Sequence, residues 1–304
     1  MLIRSRLMKY LITGANGMLG GSLCPIIRAQ GNVIYPTDIM PDNDNNIVSL
    51  DIADKKAVQA SFRLFKPDFV FHLAAETNVD KCELEPEHAR RVNIRGTENI
   101  ALACKDLGIV MAYISTCGVF DGQKKEPYNE DDEPNPISVY SKTKYEGENI
   151  VKAILNKRYY IFRAGWMMGG GSGKDKKFIA KIVKLLNTES EIAVVNDKFG
   201  NPTYTVDMST AMMAVIQKEC YGLYHMVNIG SCSRYDIACK IREYLKKDSV
   251  MIKPIFSSQF PLAAPRPRSE AAENKRLGLI GLGGIMRPWQ EALNEYLAEL
   301  IAEE

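Results

Sequence analysis

Short apolar runs alternate with longer stretches of helical period through the first half of the chain. Met8–Thr13, Val33–Tyr35, Asn46–Leu50, Asp68–Leu73, Val110–Ser115 and Tyr159–Arg163 read as strands, most of them apolar without interruption, as strands buried on both faces are. Met18 to about Gln30, Asp54–Phe65, residues 86–107 and Val139 to about Asn156 place apolar residues at helical spacing. This alternation predicts an α/β fold with a doubly wound parallel sheet. Beyond Trp166 the rhythm loosens. Helices are expected at 176–187, 206–218, 233–246 and 288–302, with strands at 191–195 and Val250–Ile255. No period of repeat-protein length runs through the chain.

The first strand-to-helix turn carries Gly14, Gly17 and Gly20 at three-residue spacing. Gly14 permits the turn, Gly17 lets backbone approach a pyrophosphate, and Gly20 lets the helix pack close. The helix N-terminus adds free N–H groups and partial positive charge. A glycine-rich turn alone is weak, but Asp38 closes the next apolar run, where a carboxylate can hold a ribose 2′-hydroxyl. A dinucleotide site is the expectation.

The 304 residues suffice for a large core, with 46% hydrophobic and 25% charged residues, as in ordinary soluble proteins. A net charge of +2 implies no nucleic-acid partner. Seven cysteines without a CxxC pair and three histidines argue against a structural metal site. No run has signal-peptide or membrane-span character, so a cytoplasmic, reduced protein without membrane association is expected. Met8 directly precedes the first strand, and residues 1–7 read as a dispensable upstream start. The acidic cluster Glu130–Glu133 reads as a solvated loop, and Gly169–Lys174 as a flexible loop without Walker A spacing.

Tyr140 and Lys144 stand at i and i+4 of one predicted helix, adjacent on its face. An ammonium there is expected to lower the phenol pKa and fit Tyr140 to exchange a proton with a carbonyl or alcohol oxygen. Thr116, ending the preceding strand, supplies a hydroxyl for the same oxygen. Taken alone, the pair also fits an ordinary exposed helix face.

Together the motifs resemble the extended short-chain dehydrogenase/reductase superfamily, and within it the dTDP-4-dehydrorhamnose reductase branch. The likeness runs through Thr13–Gly20, His72–Glu83, Asn93 with Gly96–Asn99, Ser115-Thr116, Val119–Gly122, Glu126–Asp131 and Asn135-Pro136. It continues in Tyr140/Lys144 with Tyr145–Glu148, Arg163 with Trp166, Gly200–Asp207 and Arg266-Pro267. The resemblance implies a Rossmann-type domain over residues 1–165, with parts of 196–230 returning to it. A smaller, discontinuous substrate-binding part would fill most of 166–304. It implies Thr116, Tyr140 and Lys144 as catalytic residues, and Gly14, Asn16, Gly17, Met18 and Leu19 around the pyrophosphate. Asp38 would meet the adenosine ribose and Asp51 and Ile52 the adenine. Leu73, Ala74, Ala75 and Asn93, with Tyr140 and Lys144, would complete the cofactor site. Thr77, Val79, Cys117, Gly118, Trp166, Pro202 and Thr203 would face the substrate, although Val79 and Trp166 fit equally as core residues.

The implied activity is NAD(P)H-dependent reduction of the C4 ketone of a nucleotide-diphosphate 4-keto-6-deoxy sugar. NADH is expected to be favoured because Asp38 repels a 2′-phosphate, with NADPH admitted. A 4-epimerase with tightly bound NAD and a non-catalytic nucleotide-binding subunit are the alternatives, and a homodimer stays open. The chain departs from the branch at Cys117-Gly118, where an aspartate and a tyrosine are usual. Losing both is expected to open volume, remove hydrogen-bond partners and change which sugar is accepted.

Overall fold

The computed structural model describes residues 7–171, 173–175 and 178–302. Six strands in chain order are β1 (Lys9–Thr13), β2 (Val33–Asp38), β3 (Val48–Ser49), β4 (Phe69–His72), β5 (Val110–Thr116) and β6 (Tyr159–Ala164). With Gly222–Met226 they form one seven-stranded sheet in the order Gly222–Met226, β6, β5, β4, β1, β2, β3. Every neighbouring pair is parallel. The chain moves outward from β1 to β3, then returns to β4 on the other side of β1. That reversal opens a crevice beyond the carboxyl ends of β1 and β4, where open α/β sheets bind ligands. Thr13 and His72, paired in register, mark its floor.

Helices α1 (Met18–Ala29), α2 (Lys55–Phe65), α3 (Val79–Leu84), α4 (Pro86–Arg90), α5 (Thr97–Leu107) and α6 (Val139–Leu155) cover the sheet. Successive β1 side chains point to opposite faces. Ile12 joins Leu19 and Leu23 of α1 together with Met208 and Met212, while Leu11 joins Phe62 of α2, Ile100 of α5 and Val151 of α6. The helix Thr205–Gln217 thus packs in the same core as α1, and Gly222–Met226 closes the sheet edge beyond β6. A second core gathers Ile182, Leu186, Ile237, Ile241, Leu293 and Leu297 from helices Phe178–Thr188, Arg234–Tyr244 and Trp289–Ala302. The parallel pair Glu191–Val195 and Met251–Ile255 packs with them.

The single helix expected over 86–107 is interrupted. Residues 91–96 form a π-helical segment between α4 and α5, and the Thr97 hydroxyl donates to the Asn93 carbonyl at 2.7 Å. Such widened turns recur at functional sites. The expected strand 46–50 shortens to Val48–Ser49. The proposed upstream start lies outside the described residues except for Leu7, as do residues 176–177 of the expected helix at 176–187. No described helix is long and apolar enough to cross a membrane. No group of three or more metal-ligating side chains occurs among the described residues.

Candidate active site

At the crevice, Gly14 adopts φ +71°, and a β-carbon on it would lie 2.6 Å from the Ala74 nitrogen. Strain and collision together reserve this position for glycine. Gly20 permits a second close approach, since its β-carbon would lie 2.4 Å from the Ala15 carbonyl oxygen. The turn therefore presses against the Leu73–Ala75 backbone and delivers α1 end-on to the crevice. Gly17 is the N-cap, no side chain caps it, and the first turn holds no acidic residue. Its main-chain N–H groups suit an anion. Met18 and Leu19 bury their side chains in the core, so they offer only backbone. Asp38 Oδ2 accepts from the Asn16 amide at 3.1 Å and Oδ1 from the Met40 amide at 3.0 Å, which fixes the carboxylate beside the turn. Asp51 accepts from Arg91 at 2.9 Å, and Ile52 is buried against Gly96. Glycine cradle, uncapped helix end and the Asp38 carboxylate beside the turn fit a nicotinamide dinucleotide.

Thr116 ends β5, and Tyr140 and Lys144 lie on α6, whose start is set by Ser138 Oγ accepting from the Ser141 amide at 3.2 Å. Tyr140 forms a hydrogen bond with Thr116. Tyr140 as a whole is half-buried. Burial pushes its pKa up, with the charges of Cys82 and Glu270 adding to the effect and the Thr116 hydrogen bond opposing it. The sequence expectation of a lowered phenol pKa is therefore corrected. Lys144, only 3% exposed, is itself pushed down to about 7 by burial, which Glu148 and Cys82 only partly oppose. Its Nζ lies 4.2 Å from the centroid of the Tyr113 ring.

This burial has a measurable consequence. The folded pKa of Lys144, about 7, lies below its ordinary 10.5, so between those values the unfolded chain holds a proton the folded one lacks. Stability of the cofactor-free protein should rise with pH across that window. Lys144→Met should stabilise it at pH 7 by on the order of 1–4 kcal/mol, the gain shrinking towards pH 10.5. Thermal melts of both proteins at the two ends test this. A variant less stable than the parent at neutral pH refutes it.

Other residues from the sequence reading take different places. Asn93 is fully buried; its Oδ1 accepts from the Glu76 amide at 2.8 Å, and its Nδ2 donates to Glu76 O at 3.2 Å and Thr143 Oγ1 at 3.0 Å. Its side chain holds the loop after β4 against α6, so the expected direct cofactor contact is corrected to positioning. Cys117 and Thr203 are also fully closed to solvent. Cys117 Sγ contacts the Arg163 carbonyl at 3.8 Å, and Thr203 Oγ1 accepts from the Gly165 amide at 2.9 Å. Neither side chain faces the cleft, correcting their expected contact with substrate. Pro202 is buried beside Trp166, its partner in a short parallel pair. Thr77 is exposed, while Val79 and Trp166 are half-buried.

Gly118 does not leave the open volume expected of it. A β-carbon there would lie 3.1 Å from Ser141 Oγ, 3.2 Å from Thr116 Oγ1 and 3.3 Å from Glu270 Oε2. Glu270 also accepts a hydrogen bond from Trp166, and the Arg234 guanidinium lies 3.8 Å from the centroid of the Trp166 ring. Glu270 and Arg234 belong to no recognisable motif. Only the juxtaposition of distant segments brings Glu270 beside Gly118 and Arg234 over Trp166.

A family model described as the RmlD substrate binding domain matches residues 8–302. The spore coat polysaccharide biosynthesis protein SpsK of Bacillus subtilis is 34% identical over 292 residues, covering 96% of this chain and 97% of that protein. The crystal structure of a dTDP-4-dehydrorhamnose reductase from Clostridium acetobutylicum superposes with a TM-score of 0.89 at 39% identity, covering 98% of this chain and 100% of that one. A dTDP-4-dehydrorhamnose reductase from Bacillus anthracis, solved in complex with NADP, gives a TM-score of 0.88 at 34% identity, covering 96% and 99%. Sheet, cleft and tail are matched together, and the chain belongs to the RmlD substrate-binding domain family.

Proposed function

We propose that this protein reduces the C4 ketone of a nucleotide-diphosphate 4-keto-6-deoxy sugar, using NAD(P)H held at the β1–β4 crevice. The observation that supports this is the Tyr140 phenol hydrogen-bonded to Thr116 with Lys144 buried on the same helix, in a chain similar over nearly its whole length to proteins named dTDP-4-dehydrorhamnose reductase. A dinucleotide held by the backbone of the Gly14–Leu19 turn would supply the hydride that the carbonyl carbon takes up. Tyr140 gives its phenolic proton to the carbonyl oxygen, and Thr116 holds that oxygen by a hydrogen bond. The raised phenol pKa keeps Tyr140 protonated at neutral pH, the state a reduction requires. Lys144 restores the proton after transfer. The intact trio speaks against a non-catalytic subunit.

Incubation with nucleotide-diphosphate 4-keto sugars and reduced cofactor tests the reading. Stoichiometric cofactor oxidation with a 4-hydroxy product supports it. A 4-epimer formed without net cofactor consumption overturns it in favour of an epimerase.

The preference for NADH rests on Asp38 alone, and the NADP complex of the Bacillus anthracis relative does not support it. If the carboxylate faces the 2′ position, Asp38→Asn should raise kcat/KM for NADPH relative to NADH by about tenfold or more. An unchanged ratio would mean that Asp38 does not read that position.

A further inference from the structure

Glu270 stands beside Gly118 and Thr116 on a segment held by hydrogen bonds from two sides. Its amide donates to the Phe199 carbonyl at 2.8 Å, and the Ala272 amide donates to Asn201 Oδ1 at 2.8 Å. On the other side of this segment the Tyr128 amide donates to the Ala271 carbonyl at 2.8 Å. Trp166, the hydrogen-bond donor to Glu270, is pressed against Gly200, where a β-carbon would lie 2.5 Å from the indole ring. Backbone and neighbour both fix the carboxylate, so it is pre-organised rather than a mobile surface acid.

The position it occupies is chemically specific. Glu270 Oε2 and Thr116 Oγ1 both lie within 3.3 Å of the point where a Gly118 β-carbon would stand. A sugar whose C4 oxygen meets Thr116 and Tyr140 therefore brings a ring neighbour of C4 towards Glu270. In a 6-deoxy sugar C5 carries only a methyl group, so C3 is the neighbour able to bear a hydrogen-bond donor.

We propose that Glu270 is a specificity-determining residue of the sugar site, accepting a hydrogen bond from a hydroxyl or amino group on C3 of the sugar. The inference rests on the reductase reading and names its substrate class: nucleotide-diphosphate 4-keto-6-deoxy sugars with a donor at C3. Burial raises the Glu270 pKa, while the Trp166 hydrogen bond and the charges of Arg234, Arg266 and Lys198 pull against it. Trp166 uses only part of the acceptor capacity of this carboxylate, and covering the rest with a substrate is costly unless a second donor meets it. A 3-deoxy sugar leaves it without that donor and should be rejected.

The test compares kcat/KM of the full-length protein for a nucleotide-diphosphate 4-keto-6-deoxyhexose and its 3-deoxy analogue. The parent should favour the 3-hydroxy sugar by about tenfold or more, mainly through KM. Glu270→Ala should bring the two within about threefold while cofactor affinity is unchanged, and Glu270→Gln, which keeps an acceptor oxygen, should retain part of the preference. A 3-amino analogue distinguishes the two donors, because an ammonium loses more than a hydroxyl when Glu270→Gln removes the charge. Equal use of the first two sugars by the parent, or unchanged discrimination in Glu270→Ala, overturns the proposal.

If the parent reduces none of these sugars, calorimetric binding of the same pair decides separately. A 3-hydroxy preference that Glu270→Ala abolishes supports Glu270 while the reductase reading fails. Absence of such a preference overturns both.

Discussion

Replacing Tyr140 with phenylalanine should lower turnover by about 10²–10⁴-fold, the usual contribution of general acid catalysis, with dinucleotide affinity nearly unchanged. The phenol is hydrogen-bonded to Thr116, and phenylalanine keeps the ring while deleting the phenolic proton. The neighbouring Cys117 and Ser141 are poor substitutes. Cys117 is fully buried with its thiol pKa pushed up, and the Ser141 hydroxyl is engaged with Ser138 Oγ at 3.0 Å. Single-turnover rates and cofactor binding, measured on the same preparation, separate the two effects. A rate loss below tenfold would remove Tyr140 from the proton-donor role. A parallel collapse of cofactor affinity would show that the substitution disturbs the crevice instead.

The parts of this molecule that local sequence determines were legible before its structure. The β1 turn declares itself because Gly14 answers to the backbone running beside it, and the strand-helix alternation because each element must bury a face. What could not be read depends on depth or on distant segments. The i, i+4 spacing of Tyr140 and Lys144 is a surface argument, and it mistook the sign of the phenol shift because spacing carries no information about burial. The pattern set Asn93 on the inward stripe of an ordinary helix, so it gave no hint of the π-helical segment at 91–96 or of the hold that Asn93 keeps on Glu76. Gly118 looked like an opening for the same reason. The carboxylate that fills its space comes from Glu270, far along the chain in a segment without periodicity.

Breaking the buried ion pair beside β5 should have the largest effect on stability. Arg163 on β6 donates from Nε to Glu148 Oε1 and from Nη2 to Glu148 Oε2, both at 2.8 Å, and Ser115 Oγ donates to Oε1 at 2.6 Å. Side-chain exposure is 2% for Arg163 and 0% for Glu148, so neither charge has water to fall back on. Glu148→Gln preserves shape but leaves the guanidinium uncompensated, its Nη1 already without a partner among the described residues. The expected loss is about 3–5 kcal/mol, read as a lower urea midpoint at unchanged slope. Glu148→Leu combined with Arg163→Met should recover much of it, because removing both charges leaves neither one stranded. The double variant also tests what the pair does for the site, since Glu148 shares α6 with Tyr140 and Lys144, and Ser115 precedes Thr116. Recovered stability with turnover still depressed would show that the pair sets the spacing of β5 and α6. If Glu148→Gln lowers the unfolding free energy by less than about 1 kcal/mol, the pair contributes no more than a surface bridge.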